Sequence, residues 1–397
     1  MLVNNTNFKK YNMKNIYKLT AFLVVILLIT LASCSSEDTA VNNSPYISYV
    51  RITNPVSSDS LIVKAGQGQL LALMGDNLQN TVEVWFNDRQ AYIKPTYVSK
   101  NSILTNVPSK IPTVINNEIR LVNSNGSVYT YHFTVDIGEP LIKGMLCEYV
   151  PKGKIATIQG QYFYEPLTVT FAGGVKGTIS SIEEDNKVLK VIIPDGALPG
   201  PITITSNFGS TISDFWFLDN RNIFVNSDPF KGYSGSEFVV SNPDASAPVA
   251  INGNYIRVNK SIGAWQWTPF AEGSPADFGA ISKLIPADAI LHPNDYFFKF
   301  EVNTKKPFNN NAIKFQIAMA DGIAADNLAY IWNPPYDTKG EWETVSISFD
   351  EVCKKITLKV SDNGYYVRML FHGNGALDAD MAFDNFRVVP KLLKLNK

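Results

Sequence analysis

An internal repeat constrains this chain more than any other feature of its sequence. A first copy runs through Leu71-Ala-Leu-Met-Gly75, then Val82-Glu-Val-Trp-Phe86, then Ile119-Arg-Leu-Val-Asn-Ser-Asn-Gly126-Ser127. A second runs through Ile155-Ala-Thr-Ile-Gln-Gly160, Leu167-Thr-Val-Thr-Phe171 and Ile202-Thr-Ile-Thr-Ser-Asn-Phe-Gly209-Ser210. Eleven positions separate Gly75 from Phe86, and also Gly160 from Phe171; Gly75 to Gly126 spans 51 positions against 49 from Gly160 to Gly209. An offset of about 84 residues is too long for a solenoid unit and suits small β-sandwich domains in tandem. The runs are rich in Val, Ile, Thr, Tyr and Phe and are broken by Gly, Pro, Asn and Asp, as strands joined by turns should be. Glycines at the turns supply positive φ, and alternate strand residues face a core. No amphipathic helix of useful length interrupts the pattern.

The rest of the chain divides around that repeat. With 397 residues there is room for two to four domains, and an aromatic content of 12 % excludes disorder as the main state. The predicted division is a signal segment at 1–33, an acidic and polar linker at 34–44, sandwiches at 45–136 and 137–218, and a larger β domain at 219–393. A net charge of −1 with scattered charges leaves no basic stripe, so nucleic acid is not an expected partner.

The first residues read as a targeting segment. Lys14 and Lys18 precede an apolar run from Leu19 to Ala32, too short for a spanning helix, which needs about 20 residues. Leu31-Ala-Ser-Cys34 matches the bacterial lipobox, which predicts cleavage before Cys34 and acylation of that cysteine, several acyl chains giving a firm anchor. The Ser35-Ser-Glu-Asp-Thr39 stretch that follows resembles the surface-export signal of outer-membrane lipoproteins; a plain solvated linker is the alternative. Cys147 and Cys353 fall in different predicted domains and form no disulfide framework, and His132, His292 and His372 stand alone, so no metal site and no cofactor are expected.

Gly75-Asp-Asn-Leu78, the following Val84-x-Phe86 strand and the late Leu121-Val-Asn-Ser-Asn-Gly126 hairpin resemble the IPT/TIG family, although the second copy departs with Gly160-Gln-Tyr-Phe163. The resemblance implies immunoglobulin-like domains that act as spacers. In the last domain, Met381-Ala-Phe-Asp-Asn-Phe-Arg-Val-Val389 resembles the closing strand of jelly-roll carbohydrate-binding modules, and Trp342-Glu-Thr-Val-Ser-Ile-Ser-Phe349 their Gly-x-Trp-x-Thr strand. The order lipobox, tandem IPT-like domains, binding-module-like domain resembles the surface glycan-binding lipoproteins of polysaccharide-utilisation loci. The fold class this implies is all-β, with tandem immunoglobulin-like sandwiches followed by a jelly-roll sandwich.

Candidate binding residues follow from the chemistry of sugars. A pyranose ring has an apolar C–H face, which a flat indole or phenol buries while the hydroxyls stay wet. Four of the six tryptophans lie in the last domain. Trp265 and Trp267, at i and i+2, share a face if their segment is a strand, and could stack on successive rings; the alternative is that both face the core. In Tyr330-Ile-Trp-Asn-Pro-Pro-Tyr336, paired prolines end a strand and start a loop, making Trp332, Tyr330, Asn333 and Tyr336 candidates for a platform with a hydrogen-bonding amide. Trp85, Trp216 and Trp342 are expected in cores. Neither Glu341/Glu343 nor Asp378/Asp380/Asp384 forms a recognisable glycosidase pair; solvation accounts for the glutamates, and for the aspartates loop solvation is expected, with a structural Ca²⁺ of the kind related modules hold as the alternative. The expectation is a cell-surface protein, anchored in the outer membrane, that captures a β-glucan-type polysaccharide (mixed-linkage, laminarin or xyloglucan) without cleaving it, beside a glycan importer complex. The rival is a surface adhesion or scaffold protein binding another protein through its Ig-like domains.

Overall fold

A computed structural model describes residues 44–54, 61–319, 325–333 and 335–391. The expected signal segment, Cys34 and the linker as far as residue 43 lie outside them. The described chain forms two compact units, one ending at Asp136 and one beginning at Ile137.

The first unit is a sandwich of two four-stranded sheets. One is ordered Leu61–Ile62, Tyr46–Ile52, Leu70–Asp76, Ser102–Asn106; the other Arg89–Ala91, Thr81–Phe86, Glu118–Asn123, Val128–His132. Alternating residues meet between them, with Val50, Leu71, Leu73, Val84, Phe86, Ile103, Ile119 and Leu121 in one cluster. The repeated glycines serve two different ends. Gly126 takes φ 81° and Gly209 takes φ 147°, as expected of turns. Gly75 and Gly160 instead allow close backbone approach: a Cβ at Gly75 would sit 1.8 Å from the Tyr46 carbonyl oxygen, and one at Gly160 2.0 Å from that of Leu141.

The second unit begins with another sandwich. A four-stranded sheet, ordered Leu141–Met145, Ile155–Gln161, Val188–Ile192, Thr178–Glu183, faces the three strands Leu167–Ala172, Leu198–Ser206 and Gly209–Phe217. Trp85 and Trp216 do not complete the cores expected of them. Each is half-buried on the outer side of its strand, with a guanidinium over its ring, Arg120 at 4.7 Å and Arg221 at 3.9 Å respectively.

The same unit ends in a larger sandwich. Its first sheet runs Val239–Val240, Tyr255–Ile262, Leu377–Pro390, Tyr296–Thr304, Trp342–Ser348, with Ile223–Val225 also paired to the long Leu377–Pro390 strand. Its second runs Thr268–Gly273, Tyr365–Phe371, Ile313–Met319, Tyr330–Trp332. Between them Phe270, Phe298, Phe300, Phe315, Phe371, Phe383 and Phe386 build an aromatic core, in which Phe270 stacks on Phe383 at 4.7 Å.

On the far side of the first sheet, residues that alternation turns away from the core are nevertheless buried. Arg387, wholly buried, donates to Glu301 at 2.8 and 2.9 Å and to Glu148 of the preceding sandwich at 2.7 Å, while Lys299 reaches the other Glu148 oxygen at 2.6 Å. Thr344 accepts from the Glu148 backbone N–H at 2.8 Å and donates to Glu301 at 2.8 Å. Burial opposes the Arg387 charge, but Glu301 and Glu148 more than restore it and hold the guanidinium above its usual range. The Leu146–Val150 segment thus covers this sheet and fuses the two sandwiches of the unit.

The three aspartates expected to be loop-solvated lie on the long strand instead. Asp378 meets Lys306 at 2.7 Å, Asp380 is forked by Arg257 at 2.8 and 2.9 Å, and Asp384 is buried with one carboxylate oxygen unpartnered among the described residues. Burial, then Glu301, push the Asp384 carboxyl well above the usual range. The folded state therefore keeps a proton that the unfolded chain releases above about pH 3.9, and stability is lost as pH rises from there. Asp384→Asn is expected to raise stability in urea by about 1 kcal/mol or more at pH 7, the gain shrinking toward pH 4. An unchanged midpoint at pH 7 contradicts this.

Candidate glycan-binding surface

The candidate site is the outer face of the Thr268–Gly273, Tyr365–Phe371, Ile313–Met319, Tyr330–Trp332 sheet. Along its second strand Tyr365, Val367, Met369 and Phe371 enter the core, so Tyr366, Arg368, Leu370 and His372 project the other way. Register places Arg368 between Gln316 and Glu272, and Leu370 between Lys314 and Pro269. From Tyr366 to His372 this row is about 20 Å long at ~3.3 Å per residue.

Trp265 and Trp267 stand at the His372 end, 61 % and 46 % exposed. They are not on a strand. The Tyr255–Ile262 strand stops, and Gly263–Gln266 forms a turn closed by Gln266 N–H to Gly263 O at 3.1 Å, with the Gln266 side chain accepting from Gly263 N–H at 2.8 Å. Trp265 takes φ 57° there, and its N–H donates to Gly373 O at 2.6 Å. The expected alternation therefore fails, yet both indoles converge on one ring: His372 meets Trp265 at 5.5 Å and Trp267 at 5.2 Å, each edge to face. Arg368 lies over the Trp267 ring at 5.0 Å.

At the other end, Tyr233 is 55 % exposed and its hydroxyl shares a 2.5 Å hydrogen bond with Tyr366. Burial and that bond push the Tyr233 phenol up, Glu272 adding to the effect. The neighbouring Ser234 bridges to Glu272, which sets Tyr233 beside the sheet edge. Charges on the face are paired. Arg368 donates to Glu272 at 2.6 Å, and Lys314 bonds Asp326 and approaches His372 Nδ1 at 3.1 Å.

The Tyr330–Tyr336 candidates lie elsewhere. Tyr330 and Trp332 do share a face, but it is the inner one: Trp332 is 6 % exposed and packs on Phe308 at 5.4 Å and Phe300 at 5.6 Å. It is a core residue and not a platform. Tyr330 is half-buried against the same core, and Ile331 between them faces outward. Tyr336 packs on Trp332 at 5.3 Å and donates to Glu343 at 2.7 Å; burial and that bond raise its phenol. Asn333 is exposed one position past the strand end. Trp342 is buried against Tyr255 and donates to Val249 O at 2.8 Å. Trp332→Ala is expected to cost about 3–5 kcal/mol in urea unfolding; a loss below 1 kcal/mol would show that the site collapses without penalty.

Sequence reasoning missed Tyr233, Arg368 and Lys314, and set His372 aside. Only the i, i+2 spacing of Tyr366, Arg368, Leu370 and His372 could have pointed to this face. A cavity of about 630 Å³ lies away from the indoles, at the joint of the second unit, lined by Leu146, Tyr149, Ile155 and Trp342. The indoles themselves are exposed, whereas Leu370, Lys314, Gln316 and Glu272 of the sheet beside them are buried.

Comparison with known proteins agrees with the architecture. Residues 217–390 match the family model described as the surface glycan-binding protein B xyloglucan binding domain, and residues 54–136 match the TIG domain. An IPT/TIG domain-containing protein of Bacteroides ovatus is 21 % identical, the match covering 96 % of this chain and all of that one. The crystal structure of a surface glycan-binding protein from Prevotella bryantii superposes with a TM-score of 0.65 at 20 % identity, covering 88 % of this chain and 99 % of that one. A surface glycan-binding protein from a complex xyloglucan utilization locus in Bacteroides uniformis is similar at 18 % identity and a TM-score of 0.49, over 87 % and 99 % of the two chains. The all-β fold and the likeness to surface glycan-binding proteins are thus shown, with residues 217–390 similar to the xyloglucan binding domain of surface glycan-binding protein B and residues 54–136 similar to a TIG domain.

Proposed function

We propose that this protein captures a neutral β-glucan-type polysaccharide on the Trp265/Trp267 face of its last domain and does not cleave it. The observation that carries this is the pair of indoles, 61 % and 46 % exposed, held beside a polar face whose charges are already paired. Large exposed aromatics cost solvation free energy unless they have a ligand, and a sugar face is the ligand they fit. Paired charges leave little fixed attraction for a uronate or sulfate, which favours a neutral chain. Xyloglucan, mixed-linkage glucan and laminarin are the candidates, and the family match of residues 217–390 supports the first. Two exposed indoles bury little of a ligand, so affinity is expected between micromolar and millimolar, about −8 to −4 kcal/mol.

The proposal extends to location. The Leu31-Ala-Ser-Cys34 motif supports an acyl anchor in the outer membrane, with the polymer held at the cell surface for a neighbouring hydrolase and importer complex. Titration calorimetry with xyloglucan and with polygalacturonate tests the ligand class, and a reducing-sugar assay tests the lack of cleavage. Heat on the uronic polymer alone, or release of reducing ends, would overturn the proposal.

A further inference from the structure

We infer that His372 is the positioning residue of the indole pair: its imidazole is a wedge that sets the separation and tilt of Trp265 and Trp267. This rests on the glycan-binding reading only for its effect on affinity. The geometry stands without a ligand. Both indoles contact the same ring, at 5.5 and 5.2 Å with interplanar angles of 74° and 63°, so neither can turn inward without displacing it.

The wedge is itself fixed from three sides. Its backbone N–H donates to Ala312 O at 2.9 Å, and the carbonyl of the next residue, Gly373, accepts from Trp265 N–H at 2.6 Å. Gly373 must lack a side chain, because a Cβ would lie 2.4 Å from Ala312 N. At its tip Nδ1 lies 3.1 Å from Lys314 Nζ, on the adjacent strand, and 3.2 Å from the Asp326 carboxylate. Trp265 sits in a turn and Trp267 just before an edge strand, so neither indole is oriented by a regular ladder of its own. Orientation therefore comes from the side chains packed on them: Arg368 lies over Trp267, and His372 is the ring that both indoles share.

A flat ring at 372 should suffice, whatever its polarity. In the chain from residue 35 onward, His372→Ala is expected to change the near-ultraviolet circular dichroism of the indoles without ligand and to weaken polysaccharide binding at least tenfold. His372→Phe is expected to restore both signals. His372→Leu, which fills the space without a flat ring, should give a smaller loss of affinity in the same direction. An indole signal unchanged in His372→Ala overturns the inference, as does a His372→Phe protein no better than His372→Ala. If His372→Ala does not fold, the Phe and Leu variants decide by the same two readouts: Phe must match the parent and Leu must fall below it. If the parent binds no polymer at all, the functional proposal fails by itself, and the ligand-free dichroism still decides whether His372 orders the indoles.

Discussion

A protein carrying both Trp265→Ala and Trp267→Ala is expected to lose all measurable retention by polysaccharide while unfolding at the parent's midpoint. Aromatic anchors of this kind are worth about 2 kcal/mol each when truncated, and each 1.4 kcal/mol is tenfold in affinity. Losing both would weaken binding roughly a hundredfold to a thousandfold, which takes a micromolar-to-millimolar interaction beyond detection. Stability should change little, because both side chains are largely exposed and absent from the aromatic core. Each single variant should fall between parent and double variant in calorimetry. A double variant that unfolds would show the indoles to be structural. One that binds as the parent does would move the site to another surface.

The second large effect concerns the joint within the second unit. Arg387→Met is expected to destabilise that unit by about 3–5 kcal/mol, because it strands the buried Glu301 and leaves Glu148 with Lys299 alone. The transition should also lose cooperativity. Glu148 belongs to one sandwich, Glu301 and Arg387 to the next, and Arg387 lies over the Tyr149 ring at 5.3 Å. Urea unfolding followed by tryptophan fluorescence and by far-ultraviolet dichroism would show two separated transitions in the variant and one in the parent. Coincident transitions at the parent's midpoint would mean that the buried ions add nothing to the joint.

Much of the fold was legible because β structure writes its pattern locally. Alternation and turn residues marked most strands, and the spacing from Gly75 to Phe86 and from Gly160 to Phe171 exposed the repeat. The reason for two of those glycines was not legible. Gly75 and Gly160 admit a neighbouring carbonyl, a long-range fact that no local pattern carries.

The site was half legible, for a similar reason. Trp265 and Trp267 stood out by residue type, but the strand expected to align them is a turn, and what brings them together is His372, more than a hundred residues away. Tyr330 and Trp332 were correctly placed on one face. Which face that was depended on whether the strand's inner side met Phe300 and Phe308, and period alone cannot tell inside from outside. The buried charges escaped notice altogether. Lys299, Glu301 and Arg387 alternate with apolar residues as solvated positions would, and the Leu146–Val150 segment covering them makes them internal.

Affinity gel electrophoresis of residues 35–397, across soluble plant, algal and fungal polysaccharides, tests the central proposal most directly. Retardation by xyloglucan or another neutral β-glucan, with none by uronic or sulfated polymers, is the predicted result. Free migration through every β-glucan would contradict it and favour a protein-binding role for the exposed aromatic face.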